Sequence, residues 1–271
     1  MSTYQYHRFL DESGDMTFFD KDGRNIVGQD GVSLTFMMAM VEVKQDLTTV
    51  HNDITQMQQL VATDAYFRGV PSIEKRVQNG GFFFHAKDDI PEVRKLMFDY
   101  LRNNIKVSAE VIVARKLENI FIKKHERRES QFYADILSHL LKSKLGKDGK
   151  LVLNIAARDK TTAQVHLDNA LEIAKERFRT NPRNVEKSIR KHVTFNVQPQ
   201  TRDPLLALPD YMLWAVQRVF HQGETRYYDT LKDKLPLIID MYDTEHYKDW
   251  GNYYGTGRNN YLTAANHLKQ K

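Results

Sequence analysis

The sequence predicts an α/β fold, a mixed sheet covered by helices, and three observations carry that prediction. Apolar residues recur with a period of two in some segments and at helical spacing in others, and the two kinds alternate through the second half of the chain. The run from Leu34 to Val43 is almost continuously apolar and of strand length, as in a central strand buried on both faces. Two strand-like segments joined by a loop come before the first helical one, which fits an antiparallel pair at the start of a mixed sheet.

Taken in order, Tyr4 to Leu10 reads as the first strand, closing on Asp11-Glu12-Ser13-Gly14-Asp15, where Ser-Gly signals a turn. Residues 20–31 hold three glycines among Asp and Asn and read as a hairpin loop leading to the strand at 34–43. Leu47, Val50, Ile54, Met57 and Val61 predict a helix. Residues 69–81, with Gly69, Pro71, Gly80 and Gly81, predict an exposed loop, and Phe82-Phe83-Phe84-His85 follows as a short apolar burst. Asp89 and Glu92 have the spacing of a capping box ahead of a helix with Val93, Leu96, Met97, Tyr100 and Leu101 on one face. Val107, Ala109, Val111 and Val113 alternate as in a strand.

Phe132, Ile136, Leu137, Leu140, Leu141 and Leu145 form a helical core stripe. Leu151 to Ala157 predicts a strand ending at Arg158-Asp159. Ala163, Leu167, Ala170, Leu171, Ala174 and Phe178 mark the helix after it, and Val193, Phe195 and Val197 a further strand. The last strong helix spans about Leu205 to Phe220, with Leu208, Met212, Ala215, Val216 and Val219 inward. Pro236 to Met241 reads as a late strand, and the tail 244–271 is polar and aromatic without a period. No repeat or linker divides the chain, so one domain is expected, with its core at about 5–240.

Composition narrows the function classes. Hydrophobic residues make up 41% and charged residues 28% of 271, a globular balance with enough chain for a sizeable core. The chain has no cysteine, which excludes a thiol nucleophile, a disulfide framework and a thiolate metal site. No signal-peptide pattern and no membrane-length apolar run is found, so a cytoplasmic protein without membrane association is expected. The net charge is +5 but unevenly placed: residues 115–128 carry +4 and residues 142–192 carry +7, leaving −6 for the rest. A basic middle with acidic flanks suits a polyanion-facing surface beside a carboxylate site, and equally suits solvated helix faces. The phosphate-cradling loop, the dinucleotide glycine fingerprint and the nucleophile elbow are all missing.

The aspartates are the chemical lead. Asp11 and Asp159 stand at strand ends, where sites gather in α/β sheets, and Asp210 stands early in the last strong helix. Carboxylates brought together repel, and a hard divalent cation such as Mg²⁺ or Mn²⁺ relieves that. Two such ions roughly 3.5–4 Å apart can activate water and stabilise a leaving oxygen in phosphodiester cleavage. Each acid also has a plainer reading: a turn residue at Asp11, Glu12 and Asp15, a helix cap at Asp159, a dipole partner at Asp210. His85 is open to roles as a ligand, a proton carrier or a packed loop residue. Asp210, Trp214, Gln217, Arg218 and His221 share one helix face that suits either a nucleic acid or a covering loop.

These residues fall in an order that resembles the bacterial and phage family called domain of unknown function 3800. The likeness rests on Asp11 to Asp15 after the first strand, Phe84-His85-Ala86, Arg158-Asp159-Lys160, and Leu205-Leu206-Ala207-Leu208-Pro209-Asp210-Tyr211, and covers roughly residues 5–240. It departs from the family pattern at Phe84, Ala207 and Pro209, and Thr201-Arg202-Asp203 stands where a serine-containing motif is common. The resemblance implies a ribonuclease H-like mixed sheet flanked by helices on both faces. It also implies a nuclease site in which Asp11, Asp159 and Asp210 bind the metal, with Glu12 and His85 as further catalytic candidates. Lys123, Lys124, Arg127, Arg128, Arg183, Lys187, Arg190, Lys191, Trp214 and Arg218 are then the expected contacts to DNA or RNA. Trp250, Tyr253, Tyr254 and Arg258 in the tail suit base stacking or ordinary packing. The rival readings are a binding module that does not cut and a phosphatase acting on small substrates.

Overall fold

The computed structural model describes residues 5–146, 149–158, 162–184, 187–189 and 192–269. Among these, seven strands form one mixed sheet, with eight α-helices around it. The strands are β1 (Gln5–Ser13), β2 (Thr35–Val43), β3 (Val107–Arg115), β4 (Lys150–Ala156), β5 (Val193–Gln198), β6 (Leu237–Met241) and β7 (Tyr253–Tyr254). The helices are α1 (Leu47–Thr63), α2 (Pro71–Gln78), α3 (Pro91–Asn103), α4 (Glu118–His125), α5 (Glu129–Leu141), α6 (Gln164–Arg179), α7 (Ala207–Gln222) and α8 (Arg226–Leu231).

The sheet order is β5-β4-β1-β2-β3-β6-β7. β1, β2 and β3 form an antiparallel meander, with Asp11 opposite Ala39. β4 runs parallel to β1, β5 to β4 and β6 to β3. The carboxyl ends of β1, β3, β4, β5 and β6 therefore all open on the same edge of the sheet.

Alternation along the strands divides the interior into two cores. Phe9, Met37, Ala39, Val41, Val111 and Val113 pack under α1, α2, α3, α7 and α8. Leu10, Met38, Met40, Ile112, Leu153 and Ile155 pack under α4, α5 and α6. The apolar run of β2 follows from this, since both its faces are covered.

Several elements differ from expectation. Residues 71–78 form α2, opened by Pro71 at its first turn and held by buried Ile73; the glycines read as loop markers flank it. Helix α3 starts at Pro91 with no side-chain cap, because Asp89 is buried and accepts hydrogen bonds from the His85 amide and the Tyr211 hydroxyl instead. β1 continues through Ser13, so Asp11 lies within the strand rather than after it. The tail is part of the fold: β7 pairs with β6, Tyr254 and Leu262 are buried, and the Leu268 amide donates to the Phe220 carbonyl at 2.8 Å.

Candidate active site

Asp11 sits on the face of β1 that α7 crosses, because Phe9 and Asp11 alternate with Leu10 and Glu12. Its cross-strand neighbour Ala39 is small and leaves room beside the carboxylate. Asp210 lies in the first turn of α7, where the helix dipole favours an anion.

A third element closes on the pair. The Ala86 amide donates to Asp210 Oδ2 at 2.8 Å. Gln200, in the loop after β5, donates through Nε2 to the Phe84 carbonyl at 3.0 Å and approaches Asp210 Oδ2 at 3.5 Å. The segment around His85 is fixed from below. Asp89 Oδ2 accepts the His85 amide at 2.9 Å and the Tyr211 hydroxyl, Arg76 Nη1 stands 2.6 Å from Asp89 Oδ1, and Arg94 donates to the Ala86 carbonyl at 3.0 Å. Phe84 is fully buried edge-on to Tyr211 and Phe82. The His85 ring stays partly exposed, with Nδ1 3.0 Å from Asp88 Oδ2.

The electrostatics reflect this convergence. Burial and the Asp210 carboxylate push Asp11 up to about 7, against the pull of the Glu12 amide, His85 and Arg158. Burial pushes Asp210 up to about 7 as well; Asp89 and Asp88 add to it, while the Ala86 amide and Gln200 oppose it. Two carboxylates from separate elements thus share a site that disfavours both charges, the pattern by which functional carboxylates are recognised. Asp11 Oδ1 accepts the Glu12 amide at 2.8 Å. Among the described residues, neither Asp11 Oδ2 nor Asp210 Oδ1 accepts a hydrogen bond, so one oxygen of each is left for a cation. A pair of oxygen donors with unrelieved repulsion fits a hard divalent ion. Among the described residues no group of three or more acid, histidine or cysteine donors comes together.

The other expected site residues fall as follows. Asp159 lies outside the described residues, as do Arg190 and Lys191. Arg158, just before Asp159, donates from Nη2 to the Gly14 carbonyl and sets the end of β4 beside that of β1. Glu12 points to the opposite face from Asp11 and accepts the Tyr133 hydroxyl at 2.6 Å, a consequence of strand alternation. Asp15 anchors its loop: it accepts Ser33 N and Oγ at 2.7 Å and Lys116 Nζ at 2.9 Å. Burial raises the Asp15 pKa, but these donors outweigh it and hold the group below the usual range.

Trp214 is only 8% exposed. Its ring packs against Phe98 and Tyr227 and lies under the guanidinium groups of Arg94 and Arg218, so no ring face is left for a base. Arg218 pairs with Glu224, and His221 Nε2 meets Thr35 Oγ1 at 2.8 Å, which ties the far end of α7 to β2. Beyond Asp210, at Trp214, Arg218 and His221, that helix face is covered, not presented.

Lys123, Lys124, Arg127 and Arg128 form an exposed knuckle where α4 ends in left-handed backbone at Glu126 and Arg127. Within it Lys124 pairs with Asp135 at 2.8 Å and Arg128 with Glu126. Arg183 and Lys187 are exposed too, but they precede β5 and so lie at the sheet edge opposite the acid pair. Gln200 carries no local signal and is missed by sequence reasoning, while Arg158 and Ala86 stand in motifs quoted above without a role of their own.

Comparison with known proteins returns no match to any family model, curated protein or solved structure. No described helix is long and apolar enough to cross a membrane.

Proposed function

We propose that the chain is a divalent-metal-dependent nuclease on a ribonuclease H-like fold, hydrolysing phosphodiester bonds in DNA or RNA. The observation that carries this reading is the pairing of Asp11 and Asp210, each pushed up to about 7, with one oxygen apiece left for a ligand. The antiparallel meander with two parallel strands added beside β1, and helices on both faces, supports the fold assignment. So does the order of motifs that resembles the domain of unknown function 3800 family.

In this reading Asp11 and Asp210 hold Mg²⁺ or Mn²⁺, with Asp159 as the third ligand. The ion supplies Lewis-acid activation of water and charge neutralisation at the phosphodiester. The Ala86 amide and Gln200 fix the Asp210 carboxylate, and such outer partners typically matter by 10–100-fold in metal affinity or activity. His85, half-exposed beside the pair, orients a phosphate or carries a proton. The knuckle at 123–128 meets backbone phosphates.

The test is cleavage of labelled single-stranded, double-stranded and hybrid substrates with Mn²⁺, Mg²⁺ or chelator, by wild type and by Asp11→Asn. Cleavage by wild type alone, abolished by chelator, is expected and names the substrate. No cleavage on any substrate, with no metal binding by calorimetry, would sink the enzyme reading and leave a binding module on the same fold.

A further inference from the structure

The loop between β6 and β7 is built in an unusual way. Its roots are buried and hydrogen-bonded. Asp243 is 1% exposed and accepts the Glu245 amide at 3.0 Å and His246 Nδ1 at 2.9 Å, while Arg115 Nη2 reaches it at 2.8 Å. Asn252 is 3% exposed and exchanges backbone and side-chain bonds with Asp240 at 2.9 and 3.0 Å. Between these roots, Asp249 and Trp250 both adopt left-handed backbone, at φ 56° and 63°. Such conformations are uncommon in non-glycine residues, bulky ones above all.

That turn presents an aromatic surface. Trp250 is 61% exposed and meets Tyr253 edge-on at 5.1 Å. The Arg258 guanidinium lies over both rings, 5.7 Å from Trp250 and 5.2 Å from Tyr253. Arg258 is exposed and has no carboxylate partner within ion-pair distance among the described residues. Tyr247, 71% exposed, stands on the same loop.

The position is equally specific. β6 is parallel to β1, so the loop opens on the edge that carries Asp11, three strands away. From β1 to β7, which carries Tyr253, four strand spacings make roughly 19 Å, and a bound strand would cross the sheet edge from the α5 side to the α7 side that Asp11 faces. Single-strand-binding modules cover about 4 or more nucleotides, enough to bridge that gap. The loop lies towards the face covered by α5, as Tyr253 packs with that core. The basic knuckle 123–128 is there as well: Lys124 Nζ lies 5.2 Å from the Tyr242 ring at the root of the loop.

We infer that Trp250, Tyr253 and Arg258 form a nucleobase-stacking platform for single-stranded nucleic acid, with the neighbouring phosphates on the 123–128 knuckle. The inference rests on the nucleic-acid reading above and deepens it by naming unpaired bases as the recognised chemistry. Aromatic stacking is sequence-tolerant and needs an unstacked base, so a duplex is excluded from the platform.

The experiment is done in chelator, so that binding is read without cleavage. Anisotropy of a labelled oligothymidylate of about 12 nucleotides is followed for wild type, Trp250→Ala and Arg258→Ala, with a blunt duplex of the same length alongside. Trp250→Ala is expected to weaken single-strand binding about tenfold or more and to leave duplex binding unchanged.

The chain has two tryptophans, so in a Trp214→Phe background the emission reports Trp250 alone and is expected to quench on adding the oligonucleotide. Equal binding by Trp250→Ala and wild type, or equal loss on duplex, overturns the platform. If wild type fails to cleave in the metal assay but the Trp250-dependent binding persists, the nuclease reading falls and the platform stands.

Discussion

Asp11 and Asp210 hold their protons far above the range of an isolated aspartate, and this has a measurable sign. A carboxyl raised from 3.8 to about 7 on folding contributes stability that is fully present below pH 3.8 and is lost as the pH rises through 7. The metal-free protein is therefore expected to lose stability relative to Asp11→Asn between about pH 4 and 7, by on the order of 4 kcal/mol. Urea midpoints in chelator across that range check it. Parallel curves for the two proteins would show that burial and the Asp210 charge do not hold the proton on Asp11. In the proposed reading a bound cation displaces these protons, so cation affinity is expected to climb over the same window.

At the scale of elements, one carboxylate joins three helices and a strand end. Asp135 of α5 is buried and faces Lys124 and His125 of α4, Arg177 of α6 and Tyr242 just after β6. Burial raises its pKa, but these donors more than compensate and hold it well below the usual carboxylate range. Removing the acid leaves two cations and a hydroxyl facing a void, so Asp135→Ala should cost about 3–5 kcal/mol, read as a lowered denaturant midpoint. Because its folded pKa is depressed, the advantage of wild type is present above the unfolded aspartate value and fades as the pH drops below about 4. The α4 knuckle and the aromatic loop both hang on this hub, which holds their relative placement.

For the whole molecule, the parallel strands decide which basic residues act together. The knuckle at 123–128 shares an edge with Asp11, whereas Arg183 and Lys187 lie at the opposite edge. Replacing Lys123, Arg127 and Arg128 with alanine should reduce the salt dependence of single-strand affinity, by about 0.7 in log–log slope per lost phosphate contact. The Arg183→Ala, Lys187→Ala double variant should leave the slope unchanged. Titrations from low to moderate salt measure both. Equal effects would mean that the nucleic acid wraps the molecule rather than tracking one edge.

Local pattern was enough for the regular elements. The two-sided burial of β2, the alternation of β3 and the stripes of α5, α6 and α7 were legible because burial imposes a period on neighbouring residues. Short or charged elements, α2, α4 and α8, were not, since six to eight residues carry too few periods. Asp11, His85 and Asp210 were legible as candidates, and the fold brings these three to one place. What only the tertiary structure decided is partnership. Trp214 is sandwiched rather than presented, Glu12 serves the opposite face, Asp89 braces the His85 segment instead of capping α3, and Gln200 reaches a carboxylate ten residues away. The sequence by itself determined the period and the chemistry of the side chains. Which of them meet depends on strand order and helix placement, because long-range contacts leave no local trace.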